Sequence, residues 1–222
     1  FTAIWNMSLF LFTAGCKPVY TGVVVTEDIL LVTEWNERNI HLYSRHDGKL
    51  MSSHELKSWP RGVCLISKTE VVVWLDDSTI VILSFKSIDD VKWVKTFNVK
   101  TGFNRCDSVA KWNSDKLVVS GWNYDGMLLY WCVVNLTDGR VDSTHKVCKG
   151  GFGSHLAIKH DTIYISCWTP DSTVDDEVYA FDILNPHTPK FLYRHHGFRP
   201  NSITVDERNF IYVCDLQSNR IH

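Results

Sequence analysis

The side chains with the greatest chemical reach in this chain are ten histidines, seven cysteines and a set of arginines placed beside aromatic residues. The cysteines (Cys16, Cys64, Cys106, Cys132, Cys148, Cys167, Cys214) are scattered singly, without the paired spacing that builds a zinc site. Several lie beside Val or Ile, where a thiol packs as a small apolar group in a reducing compartment. The histidines do not recur in phase with one another, and His195-His196 falls in a loop where solvated side chains are the default. No G-x-S-x-G nucleophile motif occurs, and Gly150-Gly151-Phe152-Gly153 precedes a strand rather than a helix, so it is not a phosphate loop. What remains is Arg61 after Trp59, Arg105 after Phe103 and Arg199 after Phe198. Planar cations beside aromatic rings suit protein-binding hot spots and the stacking of unpaired bases.

The elements that must position these groups are set by a repeat. Five segments read GVVVTEDILLVTEW (Gly22 to Trp35), GVCLISKTEVVVW (Gly62 to Trp74), SVAKWNSDKLVVSGW (Ser108 to Trp122), HLAIKHDTIYISCW (His155 to Trp168) and SITVDERNFIYVCD (Ser202 to Asp215). Each is a strand, a turn and a second strand, rich in Val, Ile, Tyr and Trp. A third strand follows each copy, as in Asn36 to Tyr43 and Asp76 to Leu83. Asp-Gly turns at Asp47-Gly48 and Asp138-Gly139 then lead to a fourth, since Gly supplies the positive φ of a tight hairpin. A strand-only repeat of about 40 to 50 residues marks a β-propeller blade. The fold class expected is all-β, a β-propeller of four-stranded antiparallel blades forming one domain over 1–222. Whole blades are expected near 18–59, 60–102, 103–151 and 152–198, with part blades at 1–17 and 199–222; the expected assembly is a partial ring, with a compact five-bladed ring closed by a blade shared between the two ends as the alternative.

The formal net charge of −2, from 23 basic and 25 acidic residues, gives no overall attraction to phosphate backbones or anionic membranes. The apolar opening FTAIWNMSLFLFTAGC lacks a basic leader and falls in phase as the tail of a preceding blade. No membrane partner and a cytoplasmic location are expected. Two glycosylation-type triplets, Asn6-Met7-Ser8 and Asn135-Leu136-Thr137, pull the other way.

The stretch Pro200-Asn201-Ser202-Ile203-Thr204-Val205-Asp206, followed by Phe210-Ile211-Tyr212-Val213-Cys214-Asp215 and Asn219-Arg220-Ile221, resembles the signature of the NHL-repeat β-propellers. The first blade echoes it with Glu34 for the acid and Arg38-Asn39-Ile40 after it. An acid ending strand two lies across the turn from an arginine beginning strand three, and such a pair ties a hairpin by charge-assisted hydrogen bonds. In the middle blades Trp74, Trp122 and Trp168 stand in the acid's place. The chain is similar to the C-terminal propeller of tripartite-motif proteins. That resemblance implies target recognition, in a parent ubiquitin ligase, through a protein partner or single-stranded RNA.

The loops from strand four to strand one and from strand two to strand three converge on one face of a propeller. They carry the partner-binding candidates Tyr20, Arg38, Arg61, Arg105, Tyr124, His155, Arg199 and Arg220. Trp59, Phe103, Phe152 and Phe198 are read instead as wedges between blades, and Trp35, Trp74, Trp122 and Trp168 as blade-to-blade core. For Arg61, Arg105 and Arg199 packing and binding stand even. Propeller enzymes of lyase or lactonase type hold a metal on the axis, which needs His, Asp, Asn or Glu at the start of strand one in several blades. Those places hold Tyr20, Gly62, Asp107, His155 and Ser202, not a ring of ligands. The expectation is a non-catalytic recognition scaffold with no cofactor, no metal and no catalytic residue. A protein partner comes first, single-stranded RNA second and a metal-dependent enzyme third.

Overall fold

In the computed structural model the described residues are 18–85, 91–125, 127–149, 152–168, 177–194, 199–215, 218 and 220–222. They form five antiparallel sheets. The first blade holds β1 (Tyr20–Val25), β2 (Ile29–Glu34), β3 (Asn39–Ser44) and β4 (Leu50–Glu55), and the second β5 (Pro60–Ser67), β6 (Glu70–Leu75), β7 (Thr79–Phe85) and β8 (Val91–Asn98). The third holds β9 (Arg105–Lys111), β10 (Lys116–Asn123), β11 (Leu128–Asn135) and β12 (Val141–Lys149). The fourth holds β13 (Phe152–Lys159), β14 (Thr162–Trp168), β15 (Glu177–Asp182) and β16 (Lys190–Arg194), and the fifth β17 (Pro200–Val205), β18 (Ile211–Asp215) and β19 (Arg220–Ile221). Each sheet pairs its strands in chain order, the meander of a propeller blade. The chain is thus all-β, a five-bladed propeller; five blades form a ring, and the expected partial ring is not supported. Residues 1–17, with the first glycosylation triplet, and His195-His196 lie outside the described residues.

Burial explains the strand sequences. The second and third strands are apolar without alternation, as in Val71-Val72-Val73-Trp74, because both faces of a blade pack against neighbours. Four apolar clusters fill the four seams between consecutive blades. The fourth strands are mostly exposed, as in β8. The first strands lie side by side along the inside, where all five line one central cavity of about 2330 Å³. Gly62 permits that approach: a Cβ there would meet the backbone of Ser108 and Val109 at 3.2–3.3 Å. Polar bonds cross the same seams. The Thr21 hydroxyl donates to the Pro60 carbonyl at 2.9 Å, and Lys111 and Lys159, each ending a first strand, reach the Ile66 and Asp206 carbonyls of the adjoining blade.

Candidate functional site at the bulged mouth of the central cavity

Every first strand carries a register shift near its start. In β1, β5, β9 and β17 one extra residue stands against the second strand, and these residues are Thr21, Arg61, Asp107 and Asn201. In β13 the shift falls between Phe152 and His155. A bulge turns its extra side chain out of the regular alternation, and all four of these residues line the cavity. The bulges thus bring Thr21, Arg61 and Asn201 to the cavity beside the strand-one positions of the sequence register, Tyr20, Gly62, Asp107, His155 and Ser202, which line it as well. Among the described residues no cluster of three or more His, Cys, Asp or Glu is placed to hold a metal ion.

Two of the bulged residues and their neighbours build the same assembly twice. In the first, the Arg61 guanidinium makes two hydrogen bonds to Asp76, at 2.8 and 3.1 Å, and sits 5.3 Å from the centre of the Trp35 ring. Trp35 in turn packs against Trp59, 6.1 Å away and 43% exposed. In the second, Arg105 bonds Asp107 at 2.7 Å and lies 5.7 Å from the Trp122 ring, which Tyr124 meets edge-on at 4.8 Å. Tyr124 is 60% exposed. Each unit runs from an exposed aromatic through a tryptophan to an arginine locked on an aspartate. The geometry fixes the planar cation before anything binds.

The second unit has further local support. Asn104 is tied to the Asn123-Tyr124 pair across the loop face, its N–H donating to Asn123 Oδ1 and its Oδ1 accepting from the Tyr124 N–H, both at 2.8 Å. Asp107 is buried at the cavity lining, with one carboxylate oxygen on Arg105 and the other, itself buried, without a hydrogen-bond partner. His155 also lines the cavity; burial pushes its pKa down, with Asp107 pulling it up and Arg105 down. The imidazole is therefore held neutral near pH 7.

Of the partner-binding candidates, Tyr20, Arg61, Arg105 and His155 line the cavity. Tyr20 is turned into its own blade, where a hydrogen bond with Tyr43 and the nearby Glu34 carboxylate surround its hydroxyl, and burial raises its pKa. Tyr124 is on the exposed rim. Arg38, Arg199 and Arg220 do not line the cavity. Arg38 sits in a left-handed turn and pairs with Glu55 on the outer strand, Arg199 is exposed and donates its backbone N–H to Asp215, and Arg220 is exposed opposite Asp215 in the ladder.

The expected tie between Glu34 and Arg38 is corrected. Glu34 bonds His41 at 2.7 Å, and His41 bonds Ser53 at 2.8 Å on its other side, a relay across three strands that runs from the buried Glu34 and His41 to the exposed Ser53. Asp215 holds the Arg199 N–H, the Ser218 hydroxyl and His222. The tryptophans are also out of phase. Trp74 lies opposite Gly62, the step that Thr33 and Ser120 occupy in their blades, whereas Trp35 and Trp122 come two steps later, where the second blade has Asp76. Trp74 and Trp122 are both seam core as expected, 1% and 4% exposed, and Trp35 and Trp122 also carry the arginines. Phe103 stacks on Tyr130 within the seam, as a wedge should.

No family model and no curated protein matches the chain. Solved structures do match in fold. A chain of the Kuenenia stuttgartiensis hydrazine synthase is similar with a TM-score of 0.72 at 11% identity over 92% of this chain and 63% of that one. A nidogen/laminin complex gives 0.67 at 14% over 92% and 74%, and the WD40 β-propeller domain of Doa1 gives 0.63 at 14% over 90% and 61%. This chain thus spans less than two thirds of the first structure. At such identities the likeness establishes the β-propeller and nothing finer.

Proposed function

We propose that this chain is a non-catalytic recognition module that holds a protein partner against the bulged mouth of its central cavity. The doubled aromatic–tryptophan–arginine–aspartate unit carries the reading. Arginines and aromatic rings dominate binding energy at protein interfaces, most of all where packing has already fixed their conformation. Each arginine is balanced by its aspartate, so the mouth offers stacking surface and directed donors without the excess positive charge that nucleic-acid backbones need. That balance puts a protein partner ahead of single-stranded RNA. The resemblance of the fifth blade to NHL repeats supports a role as the target-recognition arm of a larger, ubiquitin-ligase-like assembly in the cytoplasm.

The test compares the wild-type chain with the Arg61→Ala, Arg105→Ala double variant and with Arg45→Ala, Lys68→Ala, changed at the far end of the cavity. Proteins retained from extract by the wild type and by the far-end variant, and lost by the mouth variant, support the proposal. Retention by all three overturns it. A labelled single-stranded oligonucleotide bound by the wild type, with affinity falling steeply between low and physiological salt, would assign the face to RNA instead.

A further inference from the structure

The seam between the third and fourth blades brings two thiols together. Cys148, one residue before the end of β12, and Cys167, one residue before the end of β14, have their sulfurs 3.4 Å apart, although 19 positions separate them in sequence. Both belong to the apolar cluster of that seam. Cys148 is half-buried, which leaves it within reach of a small reagent, while Cys167 is 4% exposed.

From this juxtaposition we infer that Cys148 and Cys167 are an oxidation site, closing to a disulfide that clasps the third blade to the fourth. Closure takes the sulfurs from 3.4 Å to the roughly 2.05 Å of a disulfide, an approach of about 1.4 Å. The neighbouring thiol and Lys146 both favour the ionised form of Cys148 and hold its pKa below the ordinary thiol value, so it is the attacking group. The oxidant is a low-molecular-weight disulfide such as oxidised glutathione. The Cys148 thiolate attacks one of its sulfurs, forming a mixed disulfide and releasing one thiolate. Cys167 then loses its proton to solvent and attacks the Cys148 sulfur, releasing the second. Two protein thiols and one small disulfide become one protein disulfide and two small thiols. The other sulfurs behave differently: burial pushes the Cys64 and Cys106 thiols up to about 12 and Cys132 well above its ordinary value.

Both strands end at the mouth face, so the clasp fixes the spacing of two blades at the rim of the proposed docking surface. Its formation does not depend on what binds there.

The whole chain, equilibrated in glutathione buffers from reducing to oxidising, is alkylated, digested and mapped by mass spectrometry. The expected product is a linked peptide pair joining Cys148 to Cys167, with Cys106 and Cys132 alkylated only after denaturation. The melting midpoint is expected to rise by roughly 6–12 °C on oxidation, the effect of closing a loop of this length. Cys148→Ser and Cys167→Ser should each abolish the link, and Cys64→Ser should keep it. Separate alkylation of both residues under oxidising buffer, or stable glutathione adducts at Cys148 alone while circular dichroism stays native, would overturn the inference; either result is read on the wild-type chain and so stands even if a variant fails to fold.

Discussion

Gly121 sits on β10 opposite Cys106, where Asp107 is pushed out as the bulge residue. A Cβ at this position would lie 2.2 Å from the carbonyl oxygen of Arg105, 2.8 Å from a ring carbon of Phe103 and 2.9 Å from the Cα of Cys106. Ordinary contact begins near 3.4 Å, so β9 would have to retreat by about 1 Å, and two of the three obstacles are backbone that no rotamer change can move. Overpacking of this kind costs about 1–3 kcal/mol and more where the neighbour cannot yield. For Gly121→Ala we expect a loss of roughly 3 kcal/mol or more, a large share of a domain's usual 5–15 kcal/mol. Gly62→Ala is the comparison. It meets β9 only at 3.2–3.3 Å, tight by a few tenths of an ångström, and should cost about 1 kcal/mol. Urea unfolding followed by tryptophan fluorescence should lower the midpoint by about 1 M or more for Gly121→Ala and by a few tenths of that for Gly62→Ala. Because the clash falls on the segment that aims Arg105 and Asp107, the alanine variant should also expose Trp122 to quenching in the native baseline. Equal midpoints for the two variants, or a Gly121→Ala loss under about 0.5 kcal/mol, would refute the bulge geometry and the site built on it.

Trp74→Ala empties a site that is 1% exposed between the second and third blades and should cost about 3–5 kcal/mol, whereas Trp93→Ala on the outer strand, 47% exposed, should stay within about 0.5 kcal/mol; thermal melts of both check the radial order of the blades. His155 and His145 are held neutral by burial with pKa values below the ordinary 6.5, so the unfolded chain takes up more protons than the folded one as pH falls through that value. Stability should therefore be full above about pH 7 and decline from there toward pH 5. A denaturation midpoint that rises on acidification would contradict the burial of these rings. Asp107→Asn removes the carboxylate that pulls His155 upward, so its titration, followed by NMR, should move to lower pH; an upward move would show that Asp107 does not face the ring.

The blade repeat was legible because it rests on local chemistry. Strand-forming runs such as Val71-Val72-Val73 and Asp-Gly turns declare themselves along the chain, and Gly48 and Gly139 do adopt positive φ. The bulges were not legible. One extra residue in a strand buried on both sides leaves no break in hydrophobic alternation, so Arg61 and Asn201 could not be told from their neighbours Gly62 and Ser202. The same blindness placed Trp74 in register with Trp35, and only the ladder shows that Asp76 takes that slot. Pairings across a seam are equally silent in sequence. Arg61 finds Trp35 of the preceding blade, and within the first blade Glu34 prefers His41 on the adjoining third strand to Arg38 across the turn. Aromatic–arginine adjacency did pair Trp59 with Arg61, which belong to one unit, but Tyr124 and Arg105 meet only through Trp122.

The most direct test of the recognition face is site-specific photo-crosslinking in cell extract, with a benzophenone side chain placed at Tyr124 on the mouth rim or at Phe191 on the outer strand of the fourth blade. Discrete protein adducts from position 124, suppressed by Arg105→Ala and missing from position 191, are predicted. Adducts that arise equally from both positions, or only from position 191, would contradict the account.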